Sequence, residues 1–186
     1  MKVTENTASK ARSIKLIIFD VDGTLTDGKI YMGAQGELMK SFSARDGMGI
    51  NLAHKSGLKT AIITGRSSEI VANRARELKI SAVWQGADDK RSAYNEAKER
   101  FQVTDAEVAY VGDDLNDLPL LSQVGLACAV GDAMPEVKNI CSLVADSAGG
   151  NGAVREILEY IIKEQGKWND AVAAFSAKTP VVDVAQ

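Results

Sequence analysis

The sequence predicts an α/β fold: a Rossmann-like, mainly parallel sheet with helices on both faces, a small β-hairpin flap and no cap domain. Short apolar segments alternate with segments of helical periodicity, which is the pattern of a parallel sheet that helices cover on both faces. Acidic and hydroxyl residues follow several apolar segments, at the strand ends where such sheets bind ligands. The composition, 45% hydrophobic and 25% charged residues, is that of an ordinary globular domain.

Short apolar runs that end at a polar residue or a glycine predict the strands of the sheet. The first run, 16–19, ends at Asp20. A hairpin is predicted over 29–42, because two apolar runs flank a glycine-containing turn. The other predicted strands are 60–63, 82–85, 108–111, 126–130 and 143–144.

Apolar residues at helical spacing, preceded by capping residues, predict the helices. Asp46 can cap the first of them, and Gly166 can end the last, in which the apolar residues lie on one face. The predicted helices span 46–57, about 68–78, about 89–101, 115–121 and 154–166.

The predicted domain organisation has three parts. Residues 1–13 are polar and predict a flexible N-terminal extension, and residues 14–166 hold the single α/β domain. Residues 167–186 form a C-terminal tail that contains Trp168 and Phe175. The tail is too apolar for a plain disordered segment, so we expect it to pack on this subunit or on a neighbour.

Composition excludes several classes of function. A formal net charge of −3 and a pI near 5.3 argue against general nucleic-acid binding. His54 is the only histidine, which excludes His-rich zinc sites and is expected on a helix surface. Cys128 and Cys141 read as small buried hydrophobes in a reducing compartment. Because no apolar run has the ~18 residues of a membrane span, we expect a cytoplasmic protein without membrane contact.

Acidic residues cluster where two predicted strands end. Asp20 and Asp22 follow the strand 16–19, and Asp113 and Asp114 follow the strand 108–111. Carboxylates crowded at one sheet edge raise one another's pKa, and a hard divalent cation relieves the repulsion. Asp20, Asp22, Asp113 and Asp114 therefore predict a Mg²⁺ site.

Two further polar residues are predicted at the same edge. Thr64 follows the strand 60–63, and Lys90 opens the helix after the strand 82–85. Each residue alone could be a helix cap or a loop residue. Capping does not explain why so many polar residues are predicted at the same edge of the sheet. A hydroxyl, a lysine and Mg²⁺ together suit the binding of phosphate oxygens, so the set favours phosphoryl transfer.

These motifs resemble those of haloacid-dehalogenase-type phosphatases. Segment 20–27 (DVDGTLTD) resembles the nucleophile motif, Thr64 the second, Lys90 the third and segment 112–117 (GDDLND) the fourth. The resemblance implies that Asp20 attacks phosphorus and forms an aspartyl-phosphate. It implies that Asp22 protonates the leaving alcohol and then activates water, while Thr64 and Lys90 hold the phosphoryl oxygens. Mg²⁺ would be held by Asp20, the Asp22 backbone carbonyl and Asp113, and indirectly by Asp114.

Residues 14–166 resemble more narrowly a capless, tetrameric family of this superfamily. Its members remove phosphate from an eight-carbon sugar acid on the route to lipopolysaccharide, and their hairpins pack together. The matching segments are 26–28, 43–47, 63–66, 85–86 and 149–156. The resemblance implies a homotetramer, a small phosphorylated sugar acid as substrate, and substrate contacts at Asp22, Ser43, Ala44, Arg45, Asp46, Gly47, Asn51, Arg66, Arg74, Lys90 and Asn116.

Physical reasoning from the residues supports part of this picture. The intervals between Asp20, Thr64 and Lys90 leave no room for a cap domain, so the hairpin or a neighbouring subunit must cover the site. Arg66 lies two residues after Thr64, which places it near the site. Arg74 could instead pair with Glu77 or Asp89 at the surface.

Two alternative functions remain open from the sequence. One is a phosphatase for a nine-carbon, sialic-acid-type phosphate, which would use the same chemistry on a longer substrate. The other is a non-catalytic oligomerisation module of a sugar-nucleotide pathway. The intact set of Asp20, Asp22, Lys90 and Asp113 favours an enzyme over this module.

Overall fold

The computed structural model describes residues 1–176, which surround one seven-stranded sheet. The strands of the described residues are β1 (Lys2–Val3), β2 (Leu16–Phe19), β3 (Tyr31–Gly33), β4 (Gly36–Met39), β5 (Lys59–Ile63), β6 (Ala82–Trp84), β7 (Val108–Gly112), β8 (Leu126–Ala129) and β9 (Leu143–Val144). The sheet order is β1-β9-β8-β7-β2-β5-β6, and only β1 runs antiparallel to its neighbour. The predicted fold class is confirmed.

Helices cover both faces of the sheet, so β2, β7 and β8 are buried along their whole length. The helices are α1 (Thr7–Ser13), α2 (Ala44–Lys55), α3 (Glu69–Glu77), α4 (Lys90–Phe101), α5 (Leu118–Leu121), α6 (Pro135–Ile140), α7 (Ala153–Glu164) and α8 (Trp168–Ser176). Helices α1, α2, α7 and α8 pack together, and α4, α5 and α6 form a second group. Within residues 1–176 each helix is too short or too polar to cross a membrane.

The topology creates a crevice at the carboxyl end of β2. Strand β5 pairs with one side of β2 and β7 pairs with the other. After β2 the chain adds β5 and β6 on one side, and then adds β7, β8 and β9 on the opposite side. Phe19, the last residue of β2, is in register with Ile62 of β5 and Val111 of β7. The residues that follow these strands therefore meet at one edge, where such sheets bind ligands.

The N-terminal segment differs from the expectation. Residues 1–13, predicted as a flexible extension, form β1, which pairs with β9, and α1, which packs on α7. Thr7 and Ala11 are fully buried, and the Thr7 hydroxyl donates to the carbonyl oxygens of Thr4 (2.8 Å) and Ser142 (3.1 Å). The prediction was wrong because a two-residue edge strand and a two-turn helix show no hydrophobic period.

One helix start and one unpredicted helix also differ from the expectation. Ser43, not Asp46, caps α2, because its hydroxyl accepts the backbone N–H of Asp46 at 3.3 Å. Helix α6 was not predicted, because its six residues are too few to show a period. The other predicted strands and helices are confirmed, with ends shifted by a few residues.

The predicted hairpin is confirmed as β3 paired with β4 outside the main sheet. Its apolar side chains face outward: Met32 is 62% exposed and Leu38 is 69% exposed. Phe42, the last residue of the predicted hairpin segment, packs instead against the core. An apolar surface on a two-stranded ribbon is typical of a contact with another protein surface.

The first half of the predicted tail forms α8, which packs on α2 and α7 of the same chain. Trp168 and Phe175 contact the core, and the Lys55 ammonium lies 4.6 Å from the Phe175 ring centre. Of the two expected placements, residues 168–175 therefore adopt packing on their own subunit. Residues 177–186 lie outside the described residues.

Candidate active site

Asp20 and Lys90 form a buried ion pair at the carboxyl end of β2. The Lys90 ammonium lies 3.1 Å from Asp20 Oδ1, and both side chains are almost completely buried. Burial, together with repulsion from Asp117, raises the pKa of Asp20 to about 6. Burial opposes the charge of Lys90 too, but Asp20 and Asp117 hold its pKa above the usual value.

Asp117 anchors this pair, although the sequence analysis gave it no role. Its Oδ1 accepts from Lys90 Nζ at 2.6 Å and from the Tyr110 hydroxyl at 2.6 Å. Its Oδ2 accepts the backbone N–H groups of Asp113 (2.9 Å) and Asp114 (3.3 Å). Asp117 thus fixes both the lysine and the loop after β7.

Asp113 lies against the turn that follows Asp20. Its Oδ1 accepts from the Thr24 hydroxyl at 2.9 Å. Gly23, with φ +93°, passes so close that a Cβ there would lie 2.5 Å from the Asp113 carboxyl carbon. Burial and the charges of Asp20 and Asp117 raise the pKa of Asp113 to about 7, so this carboxyl is short of positive partners.

The residues fit a divalent cation. Within residues 1–176, Asp20, Asp113 and Asp117 each have a carboxylate oxygen within 4.8 Å of the others. Asp20 Oδ1 is buried with the Lys90 ammonium 3.1 Å away, and burial together with neighbouring carboxylates raises the pKa of Asp20 and of Asp113, which a bound cation would counteract. Asp117 already accepts hydrogen bonds at both oxygens, which makes it an anchor and leaves Asp20 and Asp113 as the available ligands.

Asp22 faces away from this cluster, toward the hairpin. Its Oδ1 pairs with the ammonium of Lys40, and its Oδ2 lies 3.7 Å from Arg66 Nε. Lys40 also pairs with Glu37 at 2.8 Å, and Glu37 accepts a hydrogen bond from the Ser68 hydroxyl. The hairpin of the same chain therefore covers the second predicted catalytic aspartate.

The glycine-rich segment 149–152 packs against the loop that follows Asp20. The Gly150 N–H donates to the Thr24 carbonyl oxygen at 3.0 Å. A Cβ on Gly149 would lie 2.6 Å from the carbonyl carbon of Gly23, so only glycine allows this approach. Asp46 fixes the segment, because its carboxylate accepts the N–H groups of Gly152 (3.2 Å) and Arg155 (2.8 Å).

Lys90 contacts Asp20, whereas two predicted ligand residues are otherwise engaged. Thr64 is buried after β5, and its carbonyl oxygen accepts the N–H of Ala87, three residues before Lys90, at 3.1 Å. Asp114 is exposed and caps the short 3₁₀ helix Leu115–Asp117 by accepting the Leu115 N–H at 2.7 Å. The Asp46 carboxylate is used by α7. Direct ligand contacts at Asp114 and Asp46 stay predictions.

The remaining predicted substrate contacts lie in two places. Gly47 is buried against Arg74, whose guanidinium also stacks 5.7 Å from the Phe42 ring and pairs with Glu77 at 2.8 Å. An open groove of about 450 Å³ runs between Phe42, Ala44, Ile70, Asn73, Arg74 and Glu77. Ser43 caps α2 at this groove. Arg45, Asn51 and Asn116 are exposed.

Sequence reasoning missed Asp117, Lys40 and Glu37. Asp117 is the last residue of the fourth motif, and its spacing of four residues from Asp113 could have indicated a side chain that anchors the loop. Lys40 and Glu37 gave no signal, because lysine and glutamate in a hairpin are ordinarily exposed. His54, by contrast, lies away from the cluster and bonds to Thr60 Oγ1 at 2.6 Å. Cys128 and Cys141 are buried free thiols, as expected.

Comparisons with known proteins agree with these motifs. Residues 83–157 match the family model described as haloacid dehalogenase-like hydrolase. The 3-deoxy-D-manno-octulosonate 8-phosphate phosphatase of Escherichia coli K12 is 44% identical over 91% of this chain and 90% of that protein. The corresponding enzyme of Yersinia pestis is 44% identical over 90% of each chain, and its crystal structure superposes with a TM-score of 0.87.

A third relative was solved with ligands. The 3-deoxy-D-manno-octulosonate 8-phosphate phosphatase of Moraxella catarrhalis, in complex with a magnesium ion, a phosphate ion and KDO, has a TM-score of 0.88. It is 39% identical, and the match covers 92% of this chain and 99% of that chain.

Proposed function

Because the chain belongs to the 3-deoxy-D-manno-octulosonate 8-phosphate phosphatase family of haloacid dehalogenase-like hydrolases, we propose that its cluster of Asp20, Asp22, Lys90 and Asp113 performs this hydrolysis. The chain is a Mg²⁺-dependent phosphoric monoester hydrolase that releases phosphate from this phosphorylated sugar acid, a step of lipopolysaccharide biosynthesis. The observation that carries the assignment of residues is the meeting of Asp20, Lys90 and Asp113 at the switch point of the sheet.

Asp20 is the nucleophile. One of its carboxylate oxygens forms a bond to phosphorus, while the bond from phosphorus to the sugar oxygen breaks and leaves an aspartyl-phosphate. Asp20 is held for this attack by Lys90 on one side and by its backbone N–H, which donates to Val111 O at 3.0 Å, on the other. Lys90 and a bound cation both favour the ionised form of Asp20 that attacks phosphorus.

Asp22 moves the proton. It gives a proton to the departing sugar oxygen and then takes one from the water that attacks the aspartyl-phosphate. Its position two residues after Asp20, on the turn that Gly23 closes, supports this role, and we assign its side of the nucleophile to the leaving group. The Lys40 and Arg66 cations hold its carboxylate on that side.

Mg²⁺, when bound, neutralises the phosphate oxygens and keeps them aligned for in-line attack. Asp20, Asp113 and the Asp22 backbone carbonyl would hold it, while Asp114 contributes indirectly. Thr64 and Lys90 hold the transferred phosphoryl oxygens, because a hydroxyl and an ammonium at the same sheet edge complement their charge.

Arg66 and Arg74 bind the carboxylate end of the substrate or its hydroxyl groups. Arg66 is half exposed beside Asp22, and Arg74 lines the groove next to Ala44. Guanidinium groups match carboxylates in shape and charge. Ser43, Arg45, Asp46, Gly47, Asn51 and Asn116 complete the proposed contact set.

Assembly into a homotetramer is also proposed. The exposed apolar residues of the hairpin support it, because Met32 and Leu38 would lose most of their exposure in a contact between copies. A cytoplasmic location is proposed because the thiols of Cys128 and Cys141 are free. Light scattering tests the assembly, and a monomer in solution would contradict it.

Phosphate release tests the function. Purified protein is given 3-deoxy-D-manno-octulosonate 8-phosphate, a sialic-acid-type 9-phosphate and simple sugar phosphates, with and without Mg²⁺. We expect Mg²⁺-dependent preference for the eight-carbon acid, and loss of turnover in Asp20→Asn with the assembly unchanged. Preference for the nine-carbon acid would favour the alternative substrate, and equal turnover by Asp20→Asn would refute the nucleophile.

A further inference from the structure

Lys40 is a buried lysine that joins the hairpin to the proton-transfer residue. Its side chain is 1% exposed, although it lies on a surface ribbon. Its ammonium contacts two carboxylates, that of Asp22 and that of Glu37 (2.8 Å). A buried ammonium is costly unless it is paired, and here either carboxylate supplies a negative partner.

Glu37 fixes Lys40 from the hairpin side. It accepts a hydrogen bond from the Ser68 hydroxyl at the start of α3 and lies 4.0 Å from Arg66 Nη2. The hairpin is thus tied to the main domain through Glu37, while Lys40 extends beyond that tie to Asp22. The two contacts of Lys40 have different consequences: the contact with Glu37 holds the hairpin closed, and the contact with Asp22 orients the Asp22 carboxylate.

We propose that Lys40 is a positioning residue for Asp22, holding its carboxylate over the leaving oxygen of the bound phosphate. The inference rests on the proposed function, since it assumes that Asp22 transfers the proton. Among the described residues, the ion pairs of Asp22 are those with Lys40 and Arg66. Without Lys40, the half-exposed Arg66 is the cation that remains, and it would draw the Asp22 carboxylate outward.

The chemistry defines what such a loss would change. When phosphorus bonds to Asp20 and the phosphorus–oxygen bond to the sugar breaks, the sugar oxygen leaves as an alkoxide unless Asp22 supplies a proton. An alkoxide is a strongly basic leaving group and needs that proton. A p-nitrophenolate is weakly basic and leaves without it. Lys40 should therefore matter for the sugar phosphate and hardly for the aryl phosphate.

Rapid-quench kinetics with Lys40→Met test this difference in the first turnover. The rate of alcohol release at saturating substrate and Mg²⁺ is compared for 3-deoxy-D-manno-octulosonate 8-phosphate and p-nitrophenyl phosphate. We expect the sugar rate to fall by about 10- to 100-fold, part of the contribution of a general acid. The p-nitrophenol burst should stay within about threefold of wild type. That burst also reports that the fold and Asp20 are intact.

Two control variants separate positioning from hairpin closure. Glu37→Gln weakens the tie to Ser68 and Arg66 but leaves the contact between Lys40 and Asp22, so the ratio of the two rates should stay at its wild-type value. Lys29→Met removes a 70% exposed lysine that pairs with Asp27 at 3.1 Å, and should leave both rates unchanged.

Several outcomes would overturn the inference. Equal loss on both substrates in Lys40→Met would assign Lys40 to folding or closure alone. A selective loss in Glu37→Gln equal to that of Lys40→Met would assign the effect to closure. If Lys40→Met does not unfold cooperatively, Lys40→Gln is measured in its place with the same expectations. If wild type releases only nitrophenol, the proposed substrate fails instead, and the comparison is repeated with whichever alkyl phosphate wild type accepts.

Discussion

Gly149→Ala should inactivate the enzyme without touching any group that takes part in the chemistry. Gly149 lies against the loop between Asp20 and Thr26, where its added Cβ would overlap the Gly23 carbonyl oxygen and lie 2.6 Å from the carbonyl carbon and 3.1 Å from the Thr26 oxygen. The atoms it meets are backbone, which cannot turn aside as a side chain can. Its φ lies outside the left-handed region, so the whole effect of the substitution is steric.

The size of the effect follows from the distances. Carbon atoms in contact are about 3.5–4.0 Å apart, so the two backbone segments must separate by roughly 1 Å. A displacement of that size at a reacting group costs about 100-fold in rate. Overpacking of this kind lowers the unfolding free energy by about 1–3 kcal/mol. In a protein of this size that corresponds to roughly 2–4 °C in Tm per kcal/mol.

Phosphate release and thermal unfolding measure both effects. Gly166→Ala is the matched control, because Gly166 has φ +68° and its added Cβ would meet nothing within 4 Å. It should lower Tm through backbone strain of about 1–2 kcal/mol and leave kcat unchanged. Gly149→Ala with a kcat within threefold of wild type, by the same order-of-magnitude reasoning, would refute the argument that this loop supports the nucleophile.

Three further predictions concern Asp117, Asp46 and the affinity of the site for Mg²⁺. Asp117→Asn should lower kcat, and it should lower the unfolding free energy by about 3 kcal/mol, because Lys90 loses a buried anionic partner. An unchanged Tm and kcat would contradict this prediction. Asp46→Ala should cost about 1–2 kcal/mol in urea denaturation, since α7 loses its cap, whereas a loss of activity without a loss of stability would favour a substrate contact instead. Mg²⁺ affinity, measured by calorimetry, should rise as the pH rises to about 7, because the cation displaces protons from Asp20 and Asp113, whose pKa values are about 6 and about 7 in the metal-free protein. A Mg²⁺ affinity that does not change with pH would refute the raised pKa values. The same shifts mean that, in the metal-free protein, the two carboxyls stabilise the fold at acid pH and lose this contribution as the pH rises from about 4 toward 7.

Local patterns were sufficient to predict the sheet and the residues at its edge. The run 16–19 predicted a buried strand, and its end placed Asp20, the proposed nucleophile, at the edge of the sheet. Thr64 and Asp113 follow strands that are in register with that run, so their meeting required only the rule for parallel sheets. These inferences depend on sequence neighbours and on topology.

Tertiary contacts without a local signal could not be predicted in this way. Strand β1 exists because β9 offers an edge more than a hundred residues later in the chain. Lys40 is buried because Asp22 and Glu37 converge on it, and neither the spacing nor the composition of the hairpin indicates this. Asp46 looked like the cap of its own helix, but it caps α7, which lies close only in the folded protein.

Residue type alone could not separate the roles of the aspartates at the sheet edge, but the hydrogen bonds that they accept do so. Asp117 accepts from Lys90, Tyr110 and two backbone N–H groups, so its oxygens are committed to holding the structure. The Oδ1 of Asp20 has the Lys90 ammonium 3.1 Å away, and Asp113 Oδ1 accepts from the Thr24 hydroxyl, so each of these carboxylates accepts fewer hydrogen bonds than Asp117. Lone pairs that the protein leaves unused are the ones that can bind a cation or attack phosphorus. Burial and the neighbouring carboxylates raise the pKa values of these two residues, and a bound cation would favour their ionised forms.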